Sequence, residues 1–548
     1  MSDEPRVSEE TSAAEENIAE KVRARVAAES AGSGAGGVDP DAGDDDGGGE
    51  DKIWRLFVQE CFRANELGDG VLYNALHRDR YLYVKSMETW LVWKGHFWGI
   101  DEMDEAKAAV ENVVGEYNKM GDRIRKQIDD AKGQQDMEEK IKRLRKREEA
   151  IRNRISGLRS IRRRNNCLTA AHTCDDPLAI HGRELDQKPW LLPCANGVVD
   201  LKTGKLTDGR PGDYMMLACP TEYHGIDAPR AAWEKALLEI FEDDDLVVGY
   251  MQRLLGLATV GAVYENIFPV LTGPGGRNGK STIVETISHV LGPLARPIRA
   301  EMLLDTYQQQ SSAGPTPDIM SLRGLRFAWA SETKEGSKVS ANKVKWLTGG
   351  DRLTGRNPHD KYETTFEPTH TLFLLSNFKP AADANDKAFW ERVQNVPFNV
   401  RFLKNRAPAA ENERKADLFL KEKLIGEASG ILGWLVEGCL QWQIEGLKPP
   451  PKVVQETQDY MDDEDNYSAF VDHCLEKGEY LNINATELYD AFETWWKRYV
   501  GRWVPKQKKF GKQMREFFEC QKTGGVYVYF GVDLNDEWRS FVDESGGR

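Results

Sequence analysis

No Cys-x-x-Cys pair occurs in the chain, whose eight cysteines stand alone at 61, 167, 174, 194, 219, 439, 474 and 520. That excludes a disulfide scaffold and predicts reduced thiols in a cytosol-like compartment. His172 lies near Cys167 and Cys174, but no second ligand pair follows at zinc-finger spacing, so a structural zinc is not expected. No run approaches the roughly eighteen apolar residues of a membrane helix, and no membrane partner is expected. The N-terminus lacks a basic stretch leading into an apolar one, which excludes a secretory signal. Large apolar side chains are scarce over residues 1–51, so this segment is expected to be a disordered acidic tail. Its Asp44-Asp45-Asp46 run has no strand to fix a catalytic carboxylate geometry.

Excess positive charge is also missing: the net charge is -15. Yet residues 1–51 hold fifteen Asp/Glu against four Lys/Arg, so most of the deficit is local. Between Lys140 and Arg164 the balance reverses, with twelve Lys/Arg against two Glu. Local fields decide binding to polyanions, so nucleic acid is not excluded.

What is present divides 548 residues into more domains than one core supports. A small aromatic domain is expected over 52–102, with the alternating run 82–98 turning as a hairpin at Lys94-Gly95. Apolar residues at three- and four-residue steps predict a basic helical arm or helical hairpin over 103–166. Its cations either meet phosphate or line a solvated face. A β-rich module is expected over 167–228. Helices are expected over 229–260, and the alternation of strand and helix patterns over 266–400 predicts an α/β core with a mainly parallel sheet, in a domain bounded at 229–448. A Pro-rich linker over 449–458 then leads to a C-terminal domain, 459–548, patterned as helix, helix and hairpin, like a winged helix.

The chemistry starts at an apolar strand pattern, 267–271, followed by Gly273, Pro274, Gly275, Gly276, Arg277, Asn278, Gly279, Lys280, Ser281 and Thr282. A strand, a glycine loop and a helix start present backbone N–H groups to phosphate. Lys280 is placed to reach the terminal phosphates of ATP and Ser281 to ligate Mg²⁺. Pro274 stands where the motif G-x-x-x-x-G-K-[ST] has glycine, and the loop entry reads one residue long. Downstream, a second strand pattern delivers Glu332, which could orient Mg²⁺ or activate water. A third ends in Ser376-Asn377, and Trp390-Glu391-Arg392 precedes Val396-Pro397-Phe398.

In that order these segments resemble the superfamily 3 helicases, more narrowly the poxvirus-type and phage/plasmid primase-helicase branch. The resemblance runs over roughly residues 65–535. It implies an AAA+-type core acting as a ring, usually hexameric, that translocates on DNA. It makes Lys280 and Ser281 the Walker A pair, Glu332 the Walker B acid, Asn377 the sensor and Arg392 the arginine reaching a neighbouring site. The family commonly has two adjacent arginines there, where this chain has Glu391-Arg392. A hairpin around 357–360 then implies a pore loop on single-stranded DNA, with Arg356, His359 and Lys361 as contacts. Lys508, Lys509 and Lys512 are the expected duplex contacts of the C-terminal domain.

The expected activity is ATP-dependent DNA unwinding in replication of a virus, phage or mobile element, in the host cytoplasm. An ATP-assembled origin binder without processive unwinding stays open, as does a scaffold role. Relatives often carry a primase module ahead of the helicase. The roughly 50 residues expected to be ordered between the acidic tail and the helical arm are too few for one, so a separate primase or polymerase is the expected partner.

Overall fold

The structure, a computed structural model, describes residues 49–545 apart from 133, 135–136, 306–313, 332–336, 359–361, 385 and 502–503. Most of the acidic tail, including Asp44-Asp45-Asp46, thus lies outside the described residues. The chain divides into two units, one comprising residues up to 188 with 193–199 and 206–218, the other comprising the remainder.

The first unit opens with helices α1 (Gly49–Arg63) and α2 (Asn65–His77). The run 82–98 is a three-stranded meander rather than one hairpin: β1 (Tyr81–Val84), β2 (Thr89–Trp93) and β3 (Trp98–Ile100) pair antiparallel. Its first turn, Lys85-Ser86-Met87-Glu88, contains no glycine or proline; Glu88 takes φ +49° instead. That removes the usual turn signature from the sequence. Tyr73, Tyr81 and Trp98 are buried, so these aromatics serve the core.

The basic segment folds as α3 (Val110–Ala131) packed against α4 (Glu138–Leu158), followed by α5 (Ile161–Ala171). Val114, Tyr117, Ile124 and Ile128 bury against Leu144, Ile151 and Leu158, the helical spacing read from the sequence. A buried carboxylate on α2 pins this assembly. Asp69 accepts from the Tyr117 hydroxyl at 2.9 Å and pairs with Arg154 at 2.9 Å and Arg163 at 3.3 Å. Desolvation still holds its pKa above the usual carboxylate value. Removing both arginines would strand a charge in the interior. β4 (Ala179–Ile180) closes the sheet beside β1. Short strands β5 (Leu191–Cys194), β6 (Gly197–Asp200) and β7 (Lys205–Thr207) lie where the chain alternates between the units.

The second unit opens with α6 (Ala231–Ile240) and α7 (Asp245–Leu257). The strands of its sheet are β8 (Phe268–Thr272), β9 (Ala295–Ile298), β10 (Phe327–Ser331), and, after the small pair β11 (Leu353–Gly355) and β12 (Thr364–Phe366), β13 (Thr371–Ser376) and β14 (Val393–Pro397). The order is β14-β8-β13-β10-β9 and every pairing is parallel. Such a sheet needs cover on both faces, and its strands accordingly read as apolar runs. Helices α8 (Lys280–Leu291), α9 (Ala341–Thr348) and α10 (Lys387–Trp390) connect them.

Strands β15 (Arg401–Leu403) and β16 (Glu413–Lys415) follow, then α11 (Leu420–Gly426) and α12 (Ala428–Glu445). The expected linker 449–458 is instead the start of α13 (Pro451–Asp463), with Val453 and Tyr460 buried. Proline at the first helical position has no N–H to lose and a φ already set for a helix, so Pro451 starts structure here. The C-terminal segment adds two helices and a strand to the expected pattern. In order it is α14 (Asn466–Cys474), β17 (Leu475–Asn484), α15 (Ala485–Tyr499), α16 (Gln507–Phe517), β18 (Cys520–Thr523), β19 (Val526–Leu534) and α17 (Asp536–Ser545). Its antiparallel sheet runs β17-β19-β18.

Candidate functional site

The parallel register aligns the carboxyl ends of the strands. Thr272 of β8 pairs with Ser376 of β13 and with Pro397 of β14, and Ser331 of β10 pairs with Leu375. Ligands of open α/β sheets bind outside such ends. The loop leaving β8 is folded for close approach. Gly275, Gly276 and Arg277 take φ of +73°, +68° and +55° in succession, a left-handed bend. Glycine enters that region freely, whereas Arg277 does so under strain. At Gly273 the demand is for space: an added Cβ would meet Phe398 O at 2.4 Å and Asn278 Nδ2 at 2.5 Å. Gly279, at φ +92°, would press a Cβ on Ile240 at 2.6 Å. Pro274 is exposed.

Lys280 opens α8 and is buried, its Nζ donating to Gly273 O at 2.9 Å and to Asn377 Oδ1 at 3.2 Å. Both acceptors are uncharged. Desolvation without a neutralising carboxylate lowers the amine pKa to about 8. The Nδ2 of buried Asn278 has no hydrogen-bond partner among the described residues. A buried cation facing neutral acceptors, at a loop of left-handed residues and a helix N-terminus, matches the donor set an anionic phosphate requires. Ser281 is exposed in the first turn of α8, beside Thr282. Among the described residues no cluster of three His, Cys, Asp or Glu could hold a metal by itself.

The structure thus brings Lys280 and Asn377 together. Glu332 lies outside the described residues, one position after Ser331 at the end of β10. Arg392 is not in the group. It immediately precedes β14, where its carbonyl accepts from Phe268 N at the opposite end of β8. The length of the strand, about 13 Å at 3.3 Å per residue, separates it from the loop. One guanidinium nitrogen donates to Ala388 O at 2.6 Å, while its Nε is buried with no hydrogen-bond partner among the described residues.

Sequence reasoning missed the supports of this edge. Thr272 donates to Asn395 Oδ1 at 2.7 Å, and the fully buried Asn395 is held by Thr457 and by the Glu456 carbonyl of α13. A polar residue inside a β-strand pattern was the available signal. Beside the loop lies a cavity of 840 Å³ lined by Ile240, Arg277, Gly279, Thr282, Phe402 and Leu418 among others.

Of the expected nucleic-acid contacts, Arg356 follows β11, and its backbone bonds Thr316 in both directions. The two flanking strands pair antiparallel as a hairpin; His359 and Lys361 lie outside the described residues. Lys508 and Lys512 are exposed on α16. Lys509, exposed too, spends its charge differently, pairing with Asp383 of the loop between β13 and α10 at 3.0 Å. Trp495, on the preceding helix, is buried in the C-terminal core.

Residues 71–242 match the family described as D5 N terminal like. The chain is 29% identical over 333 residues to a candidate helicase, L207/L206, of Acanthamoeba polyphaga mimivirus, covering 58% of this chain and 34% of the relative. It is 26% identical over 416 residues to candidate helicase 022R of Frog virus 3, covering 63% and 42%. Candidate primase C962R of African swine fever virus is 25% identical over 333 residues, covering 57% and 34%. The matches span between a third and a half of these relatives' length, and all three are proteins of large DNA viruses. Among solved structures, the NrS-1 C terminal region matches at TM-score 0.36 and 13% identity, over 58% of this chain and 80% of that one. Among the described residues no helix is long and apolar enough to cross a membrane.

Proposed function

We propose that the chain is an ATP-dependent DNA helicase of the superfamily 3 type acting in replication of a virus, phage or mobile element, with an AAA+-type phosphate-loop core. The observation that carries this reading is the split arrangement. Lys280 and Asn377 meet at the carboxyl edge of the sheet, while Arg392 lies at the other edge of the same subunit, too distant to serve that loop. A ring, most simply a hexamer, brings the Arg392 of one copy to the loop of the next, coupling hydrolysis to subunit contact.

In the bound state Lys280 holds the terminal phosphates, Asn377 positions water beside them, and the 273–279 backbone cradles the remainder. Ser281 with Glu332 would hold Mg²⁺, which neutralises phosphate charge. The cavity beside Ile240 and Phe402 takes the base and ribose. The hairpin bearing Arg356, His359 and Lys361 grips the translocated strand. The C-terminal segment acts as a winged helix that presents Lys508 and Lys512 to duplex DNA, and a separate primase or polymerase completes the apparatus. The test is ATP hydrolysis and unwinding of a forked duplex by wild type and by Lys280→Ala. Loss of both in the variant is expected; unchanged unwinding would sink the reading.

A second reading is favoured by the exposed cations of α16: an initiator that assembles on duplex DNA with ATP but does not displace strands. A sequence-specific footprint without strand displacement would select it over the first.

A further inference from the structure

Two groups stand apart among the arginines and lysines of α4 and α5. One set faces carboxylates. Arg154 and Arg163 meet Asp69, Arg159 and Arg164 meet Glu111 at 2.8 and 3.0 Å, Arg143 meets Glu139 at 3.8 Å, and Arg152 shares Glu148 with Arg125. The other set, Lys142, Arg145 and Lys146, is exposed and has no ion-pair partner among the described residues. Buried Leu144, Ile151 and Leu158 mark the inner face of α4, and spacing of i, i+3 and i+4 puts the three free cations together away from it. Exposed Glu149 interrupts the stripe, which exposed Arg152 resumes one turn on.

We propose that this face of α4 is a docking surface for the phosphate backbone of duplex DNA, separate from the phosphate loop and the C-terminal segment. Charge complementarity is the first ground. The second is what the helix lacks: residues 138–158 contain no aromatic side chain. A single-strand platform stacks bases on aromatics, whereas backbone contact with a duplex needs only cations at phosphate reach. The contact is therefore sequence-independent and sensitive to salt. It does not depend on the helicase reading.

The experiment measures binding of the full chain to a blunt duplex without nucleotide across a salt series, for wild type and K142Q/R145Q/K146Q. The expected result is weaker binding to every sequence and a log–log salt slope shallower by about 2 to 3, near 0.9 for each phosphate no longer neutralised. The variant's basal ATP hydrolysis stays at the wild-type level, so failure of the surface and failure of the phosphate-loop reading are distinguishable. Glu149→Gln moves affinity in the opposite direction. An unchanged slope in the triple variant would overturn the proposal. So would an unchanged slope accompanied by faster proteolysis of residues 1–48, which would assign the face to the acidic tail instead.

Discussion

The two edges of the five-stranded sheet are built on different principles. At the carboxyl edge, conformation is enforced: Gly273 and Gly279 admit no Cβ, three consecutive residues turn left-handed, and Lys280 is buried against Gly273 O and Asn377. At the amino edge, Arg392 donates to the Ala388 carbonyl, and its Nε has no partner among the described residues. The first edge gathers its parts within one copy; the second holds a cation that no carboxylate among the described residues neutralises. Under the proposed function, parts distributed this way would make activity a property of an interface between copies.

The largest effect should come from breaking the amino edge. Arg392→Ala is expected to lower the rate of ATP hydrolysis by about 10³-fold, the lower end for an arginine supplied in trans, with nucleotide affinity little changed. Steady-state kinetics with a fluorescent-nucleotide titration separates the two quantities, and equal loss of both would place Arg392 at its own loop.

The carboxyl edge should fail in a different manner. Asn377→Ala removes one of the two acceptors of Lys280, and a loss of about 10²-fold in kcat is expected, comparable to losing one polar group that positions a reacting atom. Gly279→Ala, by contrast, forces a left-handed residue against Ile240. It should cost about 1–3 kcal/mol of stability and abolish nucleotide binding, as read by thermal melting with and without ATP.

The next effect is on pH. In the empty protein the Lys280 pKa is lowered to about 8 by desolvation, and an adjacent phosphate restores the charged form. Below pH 8 the amine is already protonated and binding takes up no proton. Above it, binding takes one up, so nucleotide affinity falls with rising pH by up to about tenfold per unit. Calorimetry at pH 9 in buffers of different ionisation enthalpy detects that proton, and Lys280→Arg should abolish the uptake. Smallest is the difference between neighbouring lysines of α16. Lys508→Gln and Lys512→Gln should each reduce the salt slope of duplex binding by about one, whereas Lys509→Gln, already paired with Asp383, should reduce it by less.

The carboxyl edge was largely legible in the sequence, because its requirements are local. Glycines at a loop, a lysine opening a helix and apolar strand patterns all fall within a few residues of one another. The supports were not: Asn395 contacts Thr272 across 123 positions and α13 across about 60, distances no short pattern encodes. Lys509 shows the same limit, since its partner Asp383 is 126 positions away. At 449–458 three prolines read as a linker because proline both breaks and starts helices, and only the burial of Val453 and Tyr460 decides between them. The strand β17 escaped because its exposed Glu, Lys and Tyr residues leave few buried positions to alternate with. Glu332, His359 and Lys361 fall outside the described residues, so their roles rest on order along the chain.

The split site is tested most directly by mixing two variants, Lys280→Ala and Arg392→Ala, each expected to be inactive alone. If Arg392 completes a neighbour's loop, some interfaces in mixed assemblies pair an intact Lys280 with an intact Arg392. An equimolar mixture should then recover about a quarter of wild-type ATP hydrolysis, the random share of such interfaces in closed rings. A mixture no more active than the two variants measured separately would contradict the account, because it would place both residues in the site of one copy.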